Sequence, residues 1–222
     1  MSTSSPDDST TRTVPSATAA EVPGLLTDPP PPQPARRTST DVALVATFAA
    51  FVAACALVPA IPTGSGVPIT LQTFGVVVAG LVLGARRGFL AVTLYLVVGL
   101  AGVPVFAEMT GGLGVLGKPS VGYLLAFPLA AAVAGWLGGL ALRVPRAAWR
   151  YPLLVAAGLG SSFLVTHPAG ILGLVARLGV SPAEALAIDV VYWPGDVVKN
   201  LLAAGVTLAV LRAFPDLRRG RR

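Results

Sequence analysis

Lys199 and Asp196 are the first residues in this sequence whose types and spacing suggest chemistry. Both fall inside an apolar run near the C-terminal end, in the stretch WPGDVVKN at 193–200. A charged side chain well inside such a run costs about 3 kcal/mol or more, so it must face a cavity or a partner. The two lie three positions apart, which places them on one helical face, and Pro194 and Gly195 announce the helix start. An Asp at that end also gains from the helix dipole. The pair serves either as a ligand contact or as an ion pair stitching helices together.

A second polar constellation is VPITLQTFG at 67–75, where Thr70, Gln72 and Thr73 stand at the entry of another apolar span. Gln72 in this setting either meets a ligand or hydrogen-bonds a neighbouring helix, worth about 1 kcal/mol. A third is GVPVFAEMTGGLGVLGKPSVGY at 102–123. Gly111, Gly112, Gly114 and Gly117 permit close backbone approach, and Phe106 and Tyr123 offer aromatic walls. No strand–loop–helix context or GK[ST] ending accompanies these glycines, so they do not make a phosphate cradle. Ser161, Ser162 and His167 suggest a hydrolase only superficially. Offsets of six and five residues rotate the pairs by about 240° and 140° on an α-helix, so they are not expected to share a face. His167, before Pro168, reads as a polar residue at a helix bend.

These groups must be positioned by membrane helices. Of 222 residues, 54% are apolar and only 12% charged, far from the balance of a soluble domain. Six candidate spans follow, at about 42–59, 69–84, 88–106, 120–142, 151–172 and 194–213. With the N-terminus inside, thirteen of the sixteen Lys and Arg residues fall in cytoplasmic segments, as the positive-inside rule requires. The fold class expected is an all-α integral membrane protein of six transmembrane helices with both termini cytoplasmic. The net charge of +6 therefore reads as a topology signal, and no nucleic-acid partner is expected. One Cys and one His provide neither a disulfide framework nor a structural zinc site, and no cofactor is expected.

The expected outer loops, 60–68, 107–119 and 173–193, are longer than the inner ones and carry several Gly and Pro. Within the third, Ser181, Pro182 and Glu184 form a capping-box signature and predict a short helix over about 182–190. Residues 1–40 hold eight prolines and fourteen serines or threonines. That composition cannot bury enough apolar area to order itself, which gives a disordered cytoplasmic tail (1–40), a membrane domain (41–213) and a basic cytoplasmic C-terminus (214–222). Ala46, Ala50 and Ala54 recur every four residues in the first span, a stripe suited either to internal packing or to docking another membrane subunit. Gly135 and Gly139 form a similar pair in the fourth span.

Taken in order, VPITLQTFG, GLVLGARRGFLAVTLYLVVGLAGVPVF, GGLG with KPSVGY, and WPGDVVKN resemble the BioY family, over about residues 42–213. That family comprises the biotin-binding S-components of energy-coupling factor transporters. The resemblance implies a high-affinity biotin-binding subunit of the cell membrane, under whose outer loops the ligand is held. It implies docking through the Ala46, Ala50 and Ala54 stripe onto a transmembrane coupling subunit driven by two ATPase subunits. Asp196 and Lys199 match positions implied in ligand contact. The glycine loop (Gly111, Gly112, Gly114) with Tyr123 matches the loop that covers the ligand, and Gln72 and Thr70 match a further motif. The proline-rich tail departs from the family's compact N-terminus. Competing readings are an S-component for another vitamin, a carrier working alone, a membrane enzyme and a ligand-free scaffold. The chain shows no Walker motif and no nucleophile–base pair, so it is expected to be no enzyme.

Overall fold

The computed structural model describes residues 35–219. The expected disordered tail therefore falls, up to Pro34, outside the described residues, as do the last three positions. Residues 35–40 do not belong with that tail: the first helix already begins at Ala35. A helix entered this early carries Asp41 within it, where the Asp41 carboxylate pairs with Arg87.

The described chain is mainly helical, with α1 Ala35–Leu57, α2 Gln72–Leu83, α3 Ala85–Leu100, α4 Val121–Arg143, α5 Arg150–Ser161, α6 His167–Leu178, α7 Pro182–Val190, α8 Trp193–Ala213 and α9 Pro215–Arg219. Among the described residues, strand-like pairing is limited to two isolated bridges, Ile61 with Ile69 and Phe106 with Thr110. Four helical stretches are long and apolar enough to cross a membrane: Thr38–Leu57, Val121–Arg143, Ala147–Leu178 and Trp193–Ala213. The Ala147–Leu178 stretch runs through α5, a π turn at Ser162–Thr166 and α6 without a break. It is longer than the span expected over 151–172.

The second and third apolar runs are also helical but shorter than the hydropathy of the sequence suggests. Helix α2 has 12 residues and α3 has 16. At about 1.5 Å of rise per residue, α2 covers only about 18 Å. Residues 58–71 precede it as irregular chain, exposed or half-buried apart from the buried Val67. Backbone without helical bonding must find its hydrogen bonds elsewhere. Here Ile61 and Ile69 exchange both backbone bonds at 2.9 Å, and the Thr63 hydroxyl donates to the Val67 carbonyl at 2.7 Å.

Helix α4 lies at the centre and packs against α2, α3, α5 and α6, while α8 closes against α2 and α5. Ala130, Ala131 and Ala134 are fully buried on it, because small side chains let the neighbouring helices approach closely. A close backbone contact is at Gly80, where a Cβ would run into the backbone carbonyl of Ala131. A single residue, Gly84, connects α2 to α3, with φ +85°, a conformation other residues rarely adopt. Gly135 packs against that same turn, whereas Gly139 faces open space. The expected glycine pair is thus one packing contact rather than a continuous stripe. On α1 the residues Ala46, Ala50 and Ala54 are all exposed, with Ala49 buried beside them. The stripe is therefore not used in packing the bundle.

Overpacking a filled contact costs about 1–3 kcal/mol. Gly80→Ala is expected to lower thermal stability in detergent by several degrees, whereas Gly139→Ala should leave it unchanged. Circular dichroism melts of the two variants side by side check this.

Candidate functional site

The end of the bundle opposite the arginine-bearing turns holds a partly open cavity. Residues 66–73 form one wall, the 106–120 loop a second, α4 a third and the start of α8 the floor. The walls are mainly apolar and aromatic, from Val67, Ile69, Phe106, Leu124, Phe127 and Tyr192, with a small set of polar groups.

The polar floor is built where two helix starts meet. Lys199 Nζ lies 2.9 Å from Asp196 Oδ1, the i,i+3 pairing read from the sequence. Thr73, in the first turn of α2, donates its hydroxyl to the same carboxylate oxygen at 3.1 Å and accepts from Lys199 at 3.2 Å. The three residues form a closed triangle, and the shortness of α2 is what brings Thr73 down to it. Asp196 is 6% exposed and Lys199 14%, so the pair is largely desolvated yet faces the cavity.

The side wall is held by tyrosines. Gln72 donates through Nε2 to the Tyr95 hydroxyl at 2.8 Å, and Tyr95 donates to the Val105 carbonyl at 3.2 Å. The helix-to-helix role of Gln72 is therefore realised, and its residue also lines the cavity. Tyr192 donates to the Val67 carbonyl at 2.9 Å and lies 2.7 Å from Ser65 Oγ. Since the Tyr192 proton is committed to Val67, Ser65 is the donor in that second contact. Thr70 lines the cavity and caps the backbone N–H of Gln72 at 3.3 Å.

The predicted short helix α7 is present over Pro182–Val190, and Ser181 and Glu184 make both bonds of the capping box. Those bonds hold the Glu184 carboxyl below its ordinary range. The far end of α7 carries Asp189, which sequence reasoning did not single out. Asp189 is fully buried and accepts from Tyr123 at 2.7 Å, His167 Nδ1 at 2.9 Å and Trp193 Nε1 at 2.8 Å. Burial alone would raise its carboxyl, but the bonds from His167, Trp193 and Tyr123 outweigh that and hold it low.

Five of the expected site residues come together here: Asp196, Lys199, Tyr123, Gln72 and Thr70 all line the cavity. Gly111, Gly112 and Gly114 do not. Gly112 sits at φ +79° and donates its N–H to the Gly99 carbonyl at 2.7 Å, so these glycines shape the loop whose other residues, Phe106, Thr110, Val115 and Lys118, face the cavity. The expectation that Ser162 and His167 occupy different faces is overturned. His167 N–H bonds to the Ser162 carbonyl across the π turn, and an i→i+5 bond places residues five apart one turn above another. Both then face α8, where Asn200 donates to Ser162 Oγ at 3.2 Å and Asp196 meets His167. The other serine, Ser161, donates to the Ala130 carbonyl at 2.6 Å. Among the described residues no hydrogen bond joins either serine to His167.

Fold and site together define an all-helical membrane protein with a cavity built under its loops. A family model described as the BioY family matches residues 30–216. The biotin transporter BioY of Rhodobacter capsulatus is 40% identical over 194 residues, which cover 81% of this chain and 98% of that protein. The biotin transporter BioY of Rhizobium etli is 35% identical over 180 residues, covering 80% and 96%. Among solved structures, the crystal structure of the S-component for biotin from an ECF-type ABC transporter matches with a TM-score of 0.71 at 23% identity. That match covers 82% of this chain and 95% of the other, and is a likeness of fold. The chain belongs to the BioY family.

Asp189→Asn leaves one acceptor oxygen for three donors, and an unsatisfied buried donor costs about 1–3 kcal/mol. A group held low contributes stability that is present above its ordinary value and lost as the pH falls through its folded value. Acid denaturation in detergent is expected to show the variant less stable at neutral pH, with the difference closing below about pH 4. Parallel melting curves across that range check the sign.

Proposed function

We propose that this chain is a biotin-binding subunit for uptake across the cell membrane, without catalysis of its own. The observation that carries the reading is the cavity itself. An apolar, aromatic-walled space ends on the Asp196–Lys199–Thr73 triangle, and family membership specifies the ligand. Biotin presents a ureido group with donors and acceptors, an apolar ring and chain, and a carboxylate. An Asp acceptor, a Lys donor and aromatic walls complement those three parts. Asp196, Lys199, Tyr123, Gln72 and Thr70 are the ligand contacts in this reading, and the glycine loop is the cover. The kinship with biotin transporters supports uptake over a ligand-free scaffold.

In this reading the chain crosses the bilayer six times, with α2 and α3 completing the four longer spans, both termini cytoplasmic and the cavity outward. Arg86, Arg87, Arg143, Arg146, Arg150, Arg212 and Arg218 then fall on the cytoplasmic side, in line with the positive-inside rule. The exposed Ala46, Ala50 and Ala54 face is a flat surface against which another helix packs closely. It is assigned to a transmembrane coupling subunit, with energy from two ATPase subunits.

Radiolabelled biotin should bind the detergent-purified protein saturably, at about one per chain, and Lys199→Ala or Asp196→Ala should weaken it roughly tenfold or more. Folded protein that binds no biotin would overturn the ligand assignment. Ala50→Leu should leave biotin binding intact but abolish co-purification with the coupling subunit, since a branched side chain blocks close helix approach. Retained co-purification would place docking on another face.

A further inference from the structure

A second groove has no part in ligand binding under the loops. It runs along the flank of the bundle where α1 and α3 pack on each other, and it reaches the turn that carries Arg86 and Arg87. Along its length the lining is apolar, with Val42 and Val45 from α1 and Leu90, Leu94 and Val97 from α3. Val42 is 63% exposed and Val97 57%, so protein does not cover these side chains.

The other end of the groove is cationic. Arg87 pairs with Asp41, and both line the groove. Arg86 lines it too, and its guanidinium has neither a hydrogen bond nor an ion pair among the described residues. Asp41 cancels one of the two charges, so the cluster keeps one surplus positive charge. Arg87 also keeps N–H donors beyond those its carboxylate partner takes, since a guanidinium carries five.

The dimensions of the groove match a leaflet. Arg86 and Val97 lie eleven positions apart on α3, about 16 Å by helical rise. Half of a hydrocarbon core about 30 Å thick is about 15 Å. A cation at headgroup level and an apolar trough of one leaflet's depth complement an anionic headgroup and an acyl chain. A soluble anion would use the arginines and leave the trough bare, and a zwitterionic lipid would leave the surplus charge unmatched.

We propose that the α1–α3 groove binds one anionic phospholipid, its phosphodiester on Arg86 and Arg87 and one acyl chain along Val45, Leu90 and Leu94. In the proposed orientation the lipid belongs to the cytoplasmic leaflet, whose anionic headgroups settle in basic pockets between helices. Ala46 also lines the groove and belongs to the stripe assigned to the coupling subunit, so the bound lipid borders that contact. The inference rests on the uptake reading only for the bilayer placement of α1 and α3, and needs no biotin.

Full-length protein is reconstituted in nanodiscs of equal phosphatidylglycerol and phosphatidylcholine, then released into detergent for native mass spectrometry. It is expected to retain one phosphatidylglycerol per chain in preference to phosphatidylcholine. Equal retention of the two lipids, or retention of neither, overturns the proposal. Arg86→Gln is expected to weaken retention about tenfold, and Leu94→Trp, which fills the trough but keeps both arginines, is expected to weaken it as much. Unchanged retention in either variant overturns the site. Both positions are exposed on the flank, so both variants are expected to keep the circular dichroism spectrum and the biotin binding of the unsubstituted protein. Added inorganic phosphate is expected to displace nothing, whereas displacement would identify a soluble-anion site instead. Selective lipid retention by folded protein that binds no biotin would uphold the groove and bring down the uptake reading alone.

Discussion

A carboxylate removed from water must be met by donors, and the architecture of this protein is arranged around meeting that demand at Asp196. Lys199 comes from the same helix, one turn on. Thr73 comes from the start of α2, which must therefore begin deep within the bundle. His167 lies against it from α6, whose register is set by the π turn before it. Each partner fixes the position of a different element, so the site and the helix packing are one problem. An isolated buried charge would be prohibitive, whereas a carboxylate that accepts from an ammonium and a hydroxyl is stable.

The loops follow from the same economy of hydrogen bonds. Because α2 starts only at Gln72, residues 58–71 go without helical bonding. They are satisfied by the Ile61–Ile69 bridge, by Thr63, and by the Tyr192 hydroxyl. Tyr192 lies between α7 and α8, so the first loop and the α7 segment meet over the cavity. Tyr95 does the equivalent for the second loop through Val105. Cavity walls made of irregular chain are thereby anchored to helices at a few hydroxyl groups, an arrangement that combines definite shape with local freedom to open.

Much of this was legible in the sequence wherever the determinant is local. Hydropathy locates the apolar runs, the i,i+3 spacing joins Asp196 to Lys199, and Ser181 with Glu184 marks α7 to the residue. Long-range partners are a different matter. Nothing in the spacing of Asp189 or Tyr192 announces that each gathers groups from elements far apart in the chain. His167 was discounted because helical arithmetic assumed 3.6 residues per turn, and the π turn at Ser162–Thr166 breaks that assumption. Likewise the apolar run at 69–84 reads as a full span, although Ile69 and Thr70 are drawn into the cavity wall and helix begins only at Gln72. The glycine loop was legible as flexible backbone, but which of its residues face inward depends on how it folds against Gly99.

Helix α2 has one more effect, on the distance a solute has left to travel. Its 12 residues separate the cavity floor at Thr73 from the turn at Gly84, about 18 Å by helical rise. The hydrocarbon core of a bilayer is about 30 Å thick. In the proposed orientation, with the cavity outward, a molecule resting on the Asp196–Lys199 floor has already been carried past roughly two fifths of the low-dielectric barrier before any helix moves. The work remaining for translocation is to part or tilt a slab of protein thinner than the membrane it replaces.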